Sequence, residues 1–163
     1  MATIQERQAL LQRYSQAYAE VQQALETFPR HSWHFKPAPH EWSIHEILIH
    51  LADAEVHGFI RIRTAIAEPG SPISVYDQDR YAERLYYHEQ NTEEVLHLFR
   101  LLRQTTYQLL TLLPESAWSN TVQHPESGML SLDDLLQTYT EHVLVHIEQM
   151  RKNVQLWREQ EHA

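Results

Sequence analysis

"SIHEILIHLADAEVHGFIRI", residues 43–62, is the stretch whose periodicity sets the fold class. Ser43 followed three residues later by Glu46 has the form of a capping box, in which each side chain satisfies the other residue's backbone N–H at the start of a helix. Beyond it Ile44, Ile47, Leu48, Leu51, Ala54, Gly58 and Ile62 recur in steps of three and four, the spacing of an inward helical stripe. His50 lies beside that stripe, three residues after Ile47 and four before Ala54, so its imidazole is expected to face the interior or the edge of a cleft. His57 falls about 20° further from the stripe centre and remains a competitor. His45 is expected outward or near the helix terminus. Pro69 and Gly70 stop the segment.

Three more periodic segments accompany it. The first runs from about Thr3 to Phe28, with Leu10, Leu11, Tyr14, Tyr18, Val21 and Leu25 as its apolar positions; Pro29, Pro37 and Pro39 keep the helix from continuing beyond it. A third helix is expected from Asn91, with Glu94 completing a second box, to Pro114. The last opens at Ser131 with Asp134 and carries the stripe Leu132, Leu135, Leu136, Tyr139, Val143, Ile147, Met150, Val154 and Trp157. Residues 69–90 form a long connection with room for a short helical turn, a length that favours a crossover over a simple hairpin between helices two and three. No segment reads as a convincing strand. The expectation is an all-α four-helix bundle forming a single domain over residues 1–163.

Composition narrows the function. A chain of 163 residues that is 42% hydrophobic suits one folded domain with a sizeable core. No apolar run approaches the ~18 residues of a membrane span, and "MATIQERQALLQRY" is polar where a signal peptide needs its apolar region. A cytoplasmic protein that does not engage membranes is therefore expected. A formal charge of −9 and the lack of a Lys/Arg run argue against nucleic acid as a partner. With no cysteine, the chain offers neither disulfide nor thiolate, so any sulfur in a reaction must come from a substrate or cofactor.

There are 12 histidines. In "EHVLVHIEQM", residues 141–150, His142 and His146 project about 40° apart on one helical face, within the arc of Leu135, Tyr139, Val143 and Met150. Such a pair can reach one cation, and His50 is the best third partner. Three neutral imidazoles plus water suit a borderline divalent ion, zinc first and nickel second. The pair reads HVLVH, without the internal glutamate of the metalloprotease HExxH. His31, His34, His40, His88, His97 and His124 read as solvent-facing, capping or loop residues. Asp53 points away from the stripe, as a solvated carboxylate. Glu55 projects inward, where a charge needs the metal, an arginine or a water. Tyr139 lines a pocket or packs the core, Trp42 anchors the loop entering helix two, and Arg61, Arg63, Arg100 and Arg103 read as a solvated face, with contact to an acidic cofactor as the alternative.

"HEWSIHEILIHLADAE" at 40–55, followed by "HPESGMLSLDDLLQTYTEHVLVHIEQM" at 124–150, resembles the DinB/YfiT-like superfamily of metal-dependent enzymes. The likeness covers nearly the whole chain, and the order and separation of its two motifs carry it. It implies an up-down-down-up bundle, a metal held by His50, His142 and His146, and a homodimer. Branches of the family use low-molecular-weight thiols for S-transfer, while others are proposed hydrolases. On sequence alone a metal-dependent transferase acting on a small molecule, with the metal activating a cofactor thiol, is slightly favoured. A metal-dependent hydrolase and a non-catalytic metal-stabilised binding or stress-response module are the alternatives.

Overall fold

A computed structural model describes residues 2–162. The α-helices are α1 (Ile4–Glu26), α2 (Ile44–Ala67), α3 (Gln78–Arg84), α4 (Thr92–Thr111) and α5 (Leu132–Glu161), with 3-10 turns at Arg30–Ser32, Tyr87–Glu89 and Glu115–Ser119. The long helices begin where side chains satisfy their free N–H groups. Reciprocal capping boxes form at Thr3/Glu6, Ser43/Glu46 and Ser131/Asp134, each cap contributing about 1 kcal/mol. At α4 the expected box between Asn91 and Glu94 is replaced by a simpler arrangement. Asn91 Oδ1 accepts from the N–H groups of both Glu93 and Glu94.

The core identifies the topology. One cluster joins Ala17, Val21 and Ala24 late in α1, Ile44–Ala52 early in α2, Leu96 and Phe99 early in α4, and Val143–Val154 late in α5. A second joins Tyr14 of α1, Ile62 and Ala65 late in α2, Leu110 late in α4, and Leu132–Tyr139 early in α5. α1 and α5 therefore run towards the first cluster while α2 and α4 run away from it. The bundle α1, α2, α4, α5 is up-down-down-up, and the parallel pair α2/α4 demands a crossover.

Between the clusters lies a polar layer. Arg103 of α4, 3% exposed, donates through Nη1 to Glu55 Oε2 of α2 at 2.6 Å and to the Tyr139 carbonyl of α5 at 3.1 Å. Its Nε and Nη2 reach the Tyr14 carbonyl of α1, both at 3.2 Å, and the Tyr14 hydroxyl donates to Glu55 Oε1. One ion pair thus touches all four bundle helices and fixes their relative heights. At the far end Arg7 forms a two-point clasp on Asp133, Nε to Oδ1 at 2.7 Å and Nη2 to Oδ2 at 3.0 Å, tying the start of α1 to the start of α5.

That clasp changes the reading of α1. Its buried face is Arg7, Tyr14, Ala17, Val21 and Ala24, while Leu10, Leu11, Tyr18 and Leu25 are half-buried at its margins. Small alanines bring the helix backbone close to its neighbours, so the larger residues fall on the shoulders of the contact. On α2 and α5 the expected stripes are buried throughout, with Trp157 alone half-exposed near the end of α5.

The absence of strands is corrected. β1 (Thr121–His124) and β2 (Gly128–Ser131) pair antiparallel, Thr121 opposite Ser131 and His124 opposite Gly128. Gly128 takes a positive φ of 76°, which the turn requires. The crossover docks on the free edge of β1: Gly70 N–H bonds the Thr121 carbonyl at 2.7 Å and Ile73 N–H the Gln123 carbonyl at 3.0 Å. Four-residue strands with one fully buried side chain, Val122, hold only with this non-local support. Among the described residues no helix is long and apolar enough to cross a membrane.

Candidate metal centre

Antiparallel α2 and α5 bring His50, His142 and His146 to one point, with one ring nitrogen from each lying within 4.8 Å of the others. Nε2 of His142 stands 3.1 Å from Nε2 of His50 and 3.1 Å from Nε2 of His146. On α5 the i,i+4 spacing stacks two rings on one face. On α2 the buried stripe turns His50 fully inward, at 0% exposure.

These rings are held neutral. Burial pushes His50 down to about 2, with the neighbouring His146 and His142 lowering it further. Burial also pushes His142 to about 3, helped by His146 and by the Arg103 guanidinium. His146 is lowered by burial against an opposing hydrogen bond from Gln149. That bond settles its tautomer: Nδ1–H donates to Gln149 Oε1 at 2.8 Å, leaving a lone pair on Nε2.

The hydrogen-bond arithmetic then fails without a cation. His142 Nε2 faces two other Nε2 atoms, and a single ring proton directs one good bond. His50 Nδ1 is buried with no partner among the described residues, so none of them selects that ring's tautomer. Three converging nitrogen lone pairs are what a divalent cation accepts. Ligands about 2.0–2.1 Å from a tetrahedral zinc stand roughly 3.3 Å apart, close to the 3.1 Å that separates His142 Nε2 from each of the other two. The donor set fits a divalent metal.

Trp42 walls the cluster, its ring 4.6 Å from His50 and stacked 6.3 Å from His146. Asn153 of α5 donates to the Trp42 carbonyl at 2.8 Å, pinning this segment across the bundle. Sequence reasoning saw Trp42 as a loop anchor and missed its contact with the triad. The signal was its place eight residues before His50, too remote in sequence for helical arithmetic to use.

Other sequence expectations fall out residue by residue. His57 does not join the triad; its ring stacks on Tyr76 of the crossover at 3.9 Å. His45, expected outward or near a helix end, is at the start of α2 but buried, its Nε2 3.1 Å from the Tyr87 carbonyl. Asp53, expected to be solvated, is half-buried and accepts from the Tyr87 hydroxyl at 2.6 Å. Glu55 is indeed inward and meets an arginine, Arg103, which is therefore no part of a solvated face. Arg100 is exposed as expected, whereas Arg63 is half-buried over the Phe59 ring. Tyr139 is buried and accepts from Arg61 Nη1 at 3.1 Å. Gly58 permits this: a Cβ there would lie 2.6 Å from the Tyr139 ring. His124 stabilises its loop, Nδ1 accepting from the N–H groups of Glu126 and Ser127.

Comparison with known proteins places this geometry in a wider group. The YfiT structure from Bacillus subtilis, described as "a probable metal-dependent hydrolase with an unusual four-helix bundle topology", superposes with a TM-score of 0.86 at 20% identity, covering 94% of this chain and 88% of that one. A mycothiol-dependent maleylpyruvate isomerase shares the fold at a TM-score of 0.68 and 16% identity, over 90% of this chain and 60% of that one. A protein of Oceanobacillus iheyensis named "Putative metal-dependent hydrolase" is 32% identical over 114 residues, 68% of this chain and 66% of its own length. One of the same description from Halalkalibacterium halodurans is 23% identical over 111 residues, 66% of this chain and 64% of its own. The match thus spans just under two thirds of these relatives. The profile of the DinB superfamily matches residues 13–150. With most of the chain inside that match, this protein belongs to the DinB superfamily.

Proposed function

We propose that this protein is a metal-dependent hydrolase of a small molecule, with His50, His142 and His146 holding the cation through Nε2. The observation that carries the reading is the convergence of three buried, neutral imidazoles whose ring nitrogens lack enough protons to satisfy one another. A divalent cation held by three imidazoles keeps a coordination position open, lowers the pKa of water and polarises a carbonyl or phosphoryl oxygen. Zinc suits the all-imidazole set best, and nickel shares its affinity for imidazole.

The chain's own residues have separate tasks in this scheme. His50, buried at the α2–α5 contact, sets the depth of the site, and Trp42 keeps bulk water from one side of it. Gln149 holds the His146 Nδ1 proton so that Nε2 faces the cluster. Burial, aided by His146 and Arg103, keeps the His142 ring a neutral donor near pH 7. The cluster contains no carboxylate, so the cation's charge is undiminished where water or substrate would meet it.

Hydrolysis displaces the thiol S-transfer slightly favoured from the sequence. The relatives with the greater sequence likeness carry the name "Putative metal-dependent hydrolase", whereas the mycothiol-dependent enzyme shares the fold at 16% identity. A cysteine-free chain is compatible with either chemistry.

The test uses protein purified without a metal-affinity tag. Elemental analysis is expected to find stoichiometric divalent metal in the wild type. The His142→Ala variant is expected to bind at least about 100-fold more weakly in chelator competition, one of three ligands being lost. A panel of carboxylic esters, amides and phosphoesters should then give turnover that needs no thiol, stops with chelator and returns with metal. Turnover only when a low-molecular-weight thiol is added would replace hydrolysis by S-transfer. Stoichiometric metal with no turnover of any kind would make the protein a metal-stabilised binding module.

A further inference from the structure

Four arginines of this bundle are tied to the interior, and two of them are neutralised. Arg7 is paired with Asp133 and Glu115, and Arg103 with Glu55. Arg61 is different. Its Nη1 donates to the Tyr139 hydroxyl at 3.1 Å and its Nη2 to the Ser74 carbonyl at 2.6 Å, both neutral acceptors. Among the described residues no carboxylate lies within 4.0 Å of its guanidinium. Its Nε is buried without any partner. A half-buried cation with an unused donor and no counter-charge is an uncommon arrangement, since pairing normally offsets the lost hydration.

Its position on α2 gives that charge a use. At 100° per residue His57 and Arg61 project about 20° to either side of His50 and about 40° from each other, and Ala54 about 40° from His50, so they form one lengthwise row. The Cα atoms of His50 and Arg61 are separated by about 16 Å along the axis. Helical side chains lean towards the helix N-terminus, His50 and Arg61 alike, so the guanidinium stays on the order of 10–15 Å from the imidazole cluster. The row is flanked by aromatic surface: the Tyr139 ring on the α5 side, and on the crossover side Tyr76 stacked on His57 and Tyr81 4.8 Å from Tyr76. Tyr76, Tyr81 and His57 are half-buried, with part of each surface left to solvent.

We propose that Arg61 anchors the carboxylate of an elongated substrate whose hydrolysable bond lies at the histidine cluster. The inference rests on the metal-dependent hydrolase reading above and adds its substrate class: an ester or amide bearing a carboxylate at its far end. The intervening chain lies along the half-buried faces of His57, Tyr76 and Tyr81, aromatic surface that suits methylene or aromatic spacers. A monoanion is favoured over a phosphate dianion for an electrostatic reason. A single guanidinium supplies the positive charge, and Asp53 stands near enough for its own charge to act on His57 and Tyr76. Overall the chain is strongly acidic, at −9, so attraction of an anionic substrate must come from such a local cation.

Binding of monohydroxamates to metal-loaded protein tests this without reference to turnover. Hydroxamates ligate the cation, and the suberic acid derivative differs from octanohydroxamate in its terminal carboxylate. Isothermal titration is expected to find the carboxylate probe bound about tenfold more tightly, as one charge-assisted hydrogen-bonded contact supplies. Adipic and sebacic analogues should bracket the best length. The Arg61→Met variant should close the gap between the two probes, and Arg61→Lys should retain part of it. The wild-type comparison stands on its own if Arg61→Met does not fold. Equal affinity of both probes overturns the anchor alone, as does tighter binding of the matching phosphonate. No binding of either probe overturns the metal reading and this inference with it.

Discussion

Two polar clusters are buried along α2, a little over one helical turn apart, and they answer the cost of burial in opposite ways. The cluster at Glu55 is closed. Its two carboxylate oxygens accept from Tyr14 and Arg103, and the remaining guanidinium donors meet backbone carbonyls of α1 and α5. The cluster at His50 is open, with three Nε2 atoms aimed at one another and one Nδ1 unpartnered. A closed network of this kind holds helices in register, because any sliding breaks several bonds at once. An open one leaves nitrogen lone pairs unmatched and favours whatever supplies positive charge. The first is read as architecture and the second as a binding site, although composition alone does not separate them.

The comparison breaks most visibly at Glu55. Glu55→Ala leaves the Arg103 cation buried among Tyr14, Phe99 and two helix backbones without its counter-charge. Removing one partner of a buried pair costs about 3–5 kcal/mol. The expected result in urea unfolding of the metal-free protein is a loss of that size. Glu55→Gln, which keeps an acceptor for Tyr14, should lose less. A Glu55→Ala protein as stable as the wild type would mean that the pair does not organise the bundle.

Much of this contrast could be read from the chain, and the missing part has a physical explanation. The starts of α2 and α5 and the 142/146 spacing depend on contacts within four residues, so capping chemistry and helical period reveal them. Glu55 could be placed inside from the same period. Its partner could not, because Arg103 comes from a helix 48 positions away and looks like any charged residue on α4. The choice between His50 and His57 was likewise tertiary: Tyr76, in the crossover, stacks on His57. Trp42 and the β1–β2 hairpin were obscured for the same reason. Each depends on distant chain, Asn153 for Trp42 and the segment Gly70–Ile73 for the hairpin.

A smaller effect separates the clusters by pH. His50, His142 and His146 all have folded pKa values below the ordinary histidine value, so below about pH 6.5 the unfolded chain binds protons that the folded one refuses. Stability from these groups is therefore complete above that pH and is lost as pH falls towards the folded values. Between pH 7 and pH 5 His50 alone accounts for about 2 kcal/mol. Thermal melts of metal-free protein are expected to show this slope, and His50→Asn to flatten it. Metal-loaded protein should unfold still more steeply with acid, because protons then compete with the cation for the same nitrogens. A slope unchanged in His50→Asn would mean that the ring is not held neutral by burial.

The finest test concerns the one imidazole whose orientation the protein sets itself. Gln149 bonds Nδ1 of His146 and leaves its Nε2 lone pair facing the other rings, whereas His50 Nδ1 has no such partner. Partners of this kind typically change metal affinity by about 10- to 100-fold. Gln149 lies on the same helix as His146 and is half-exposed, so its removal disturbs little else. Gln149→Ala is expected to weaken metal binding about tenfold in chelator competition, the lower end of that range, because water can replace a partly exposed amide. Gln149→Glu should strengthen binding, since a carboxylate acceptor raises the basicity of the ring. The melting temperature of the metal-free forms should stay nearly constant across the series. Equal metal affinity in all three proteins would show that burial alone orients His146, and would remove the one feature by which the polypeptide prepares this open cluster for its ion.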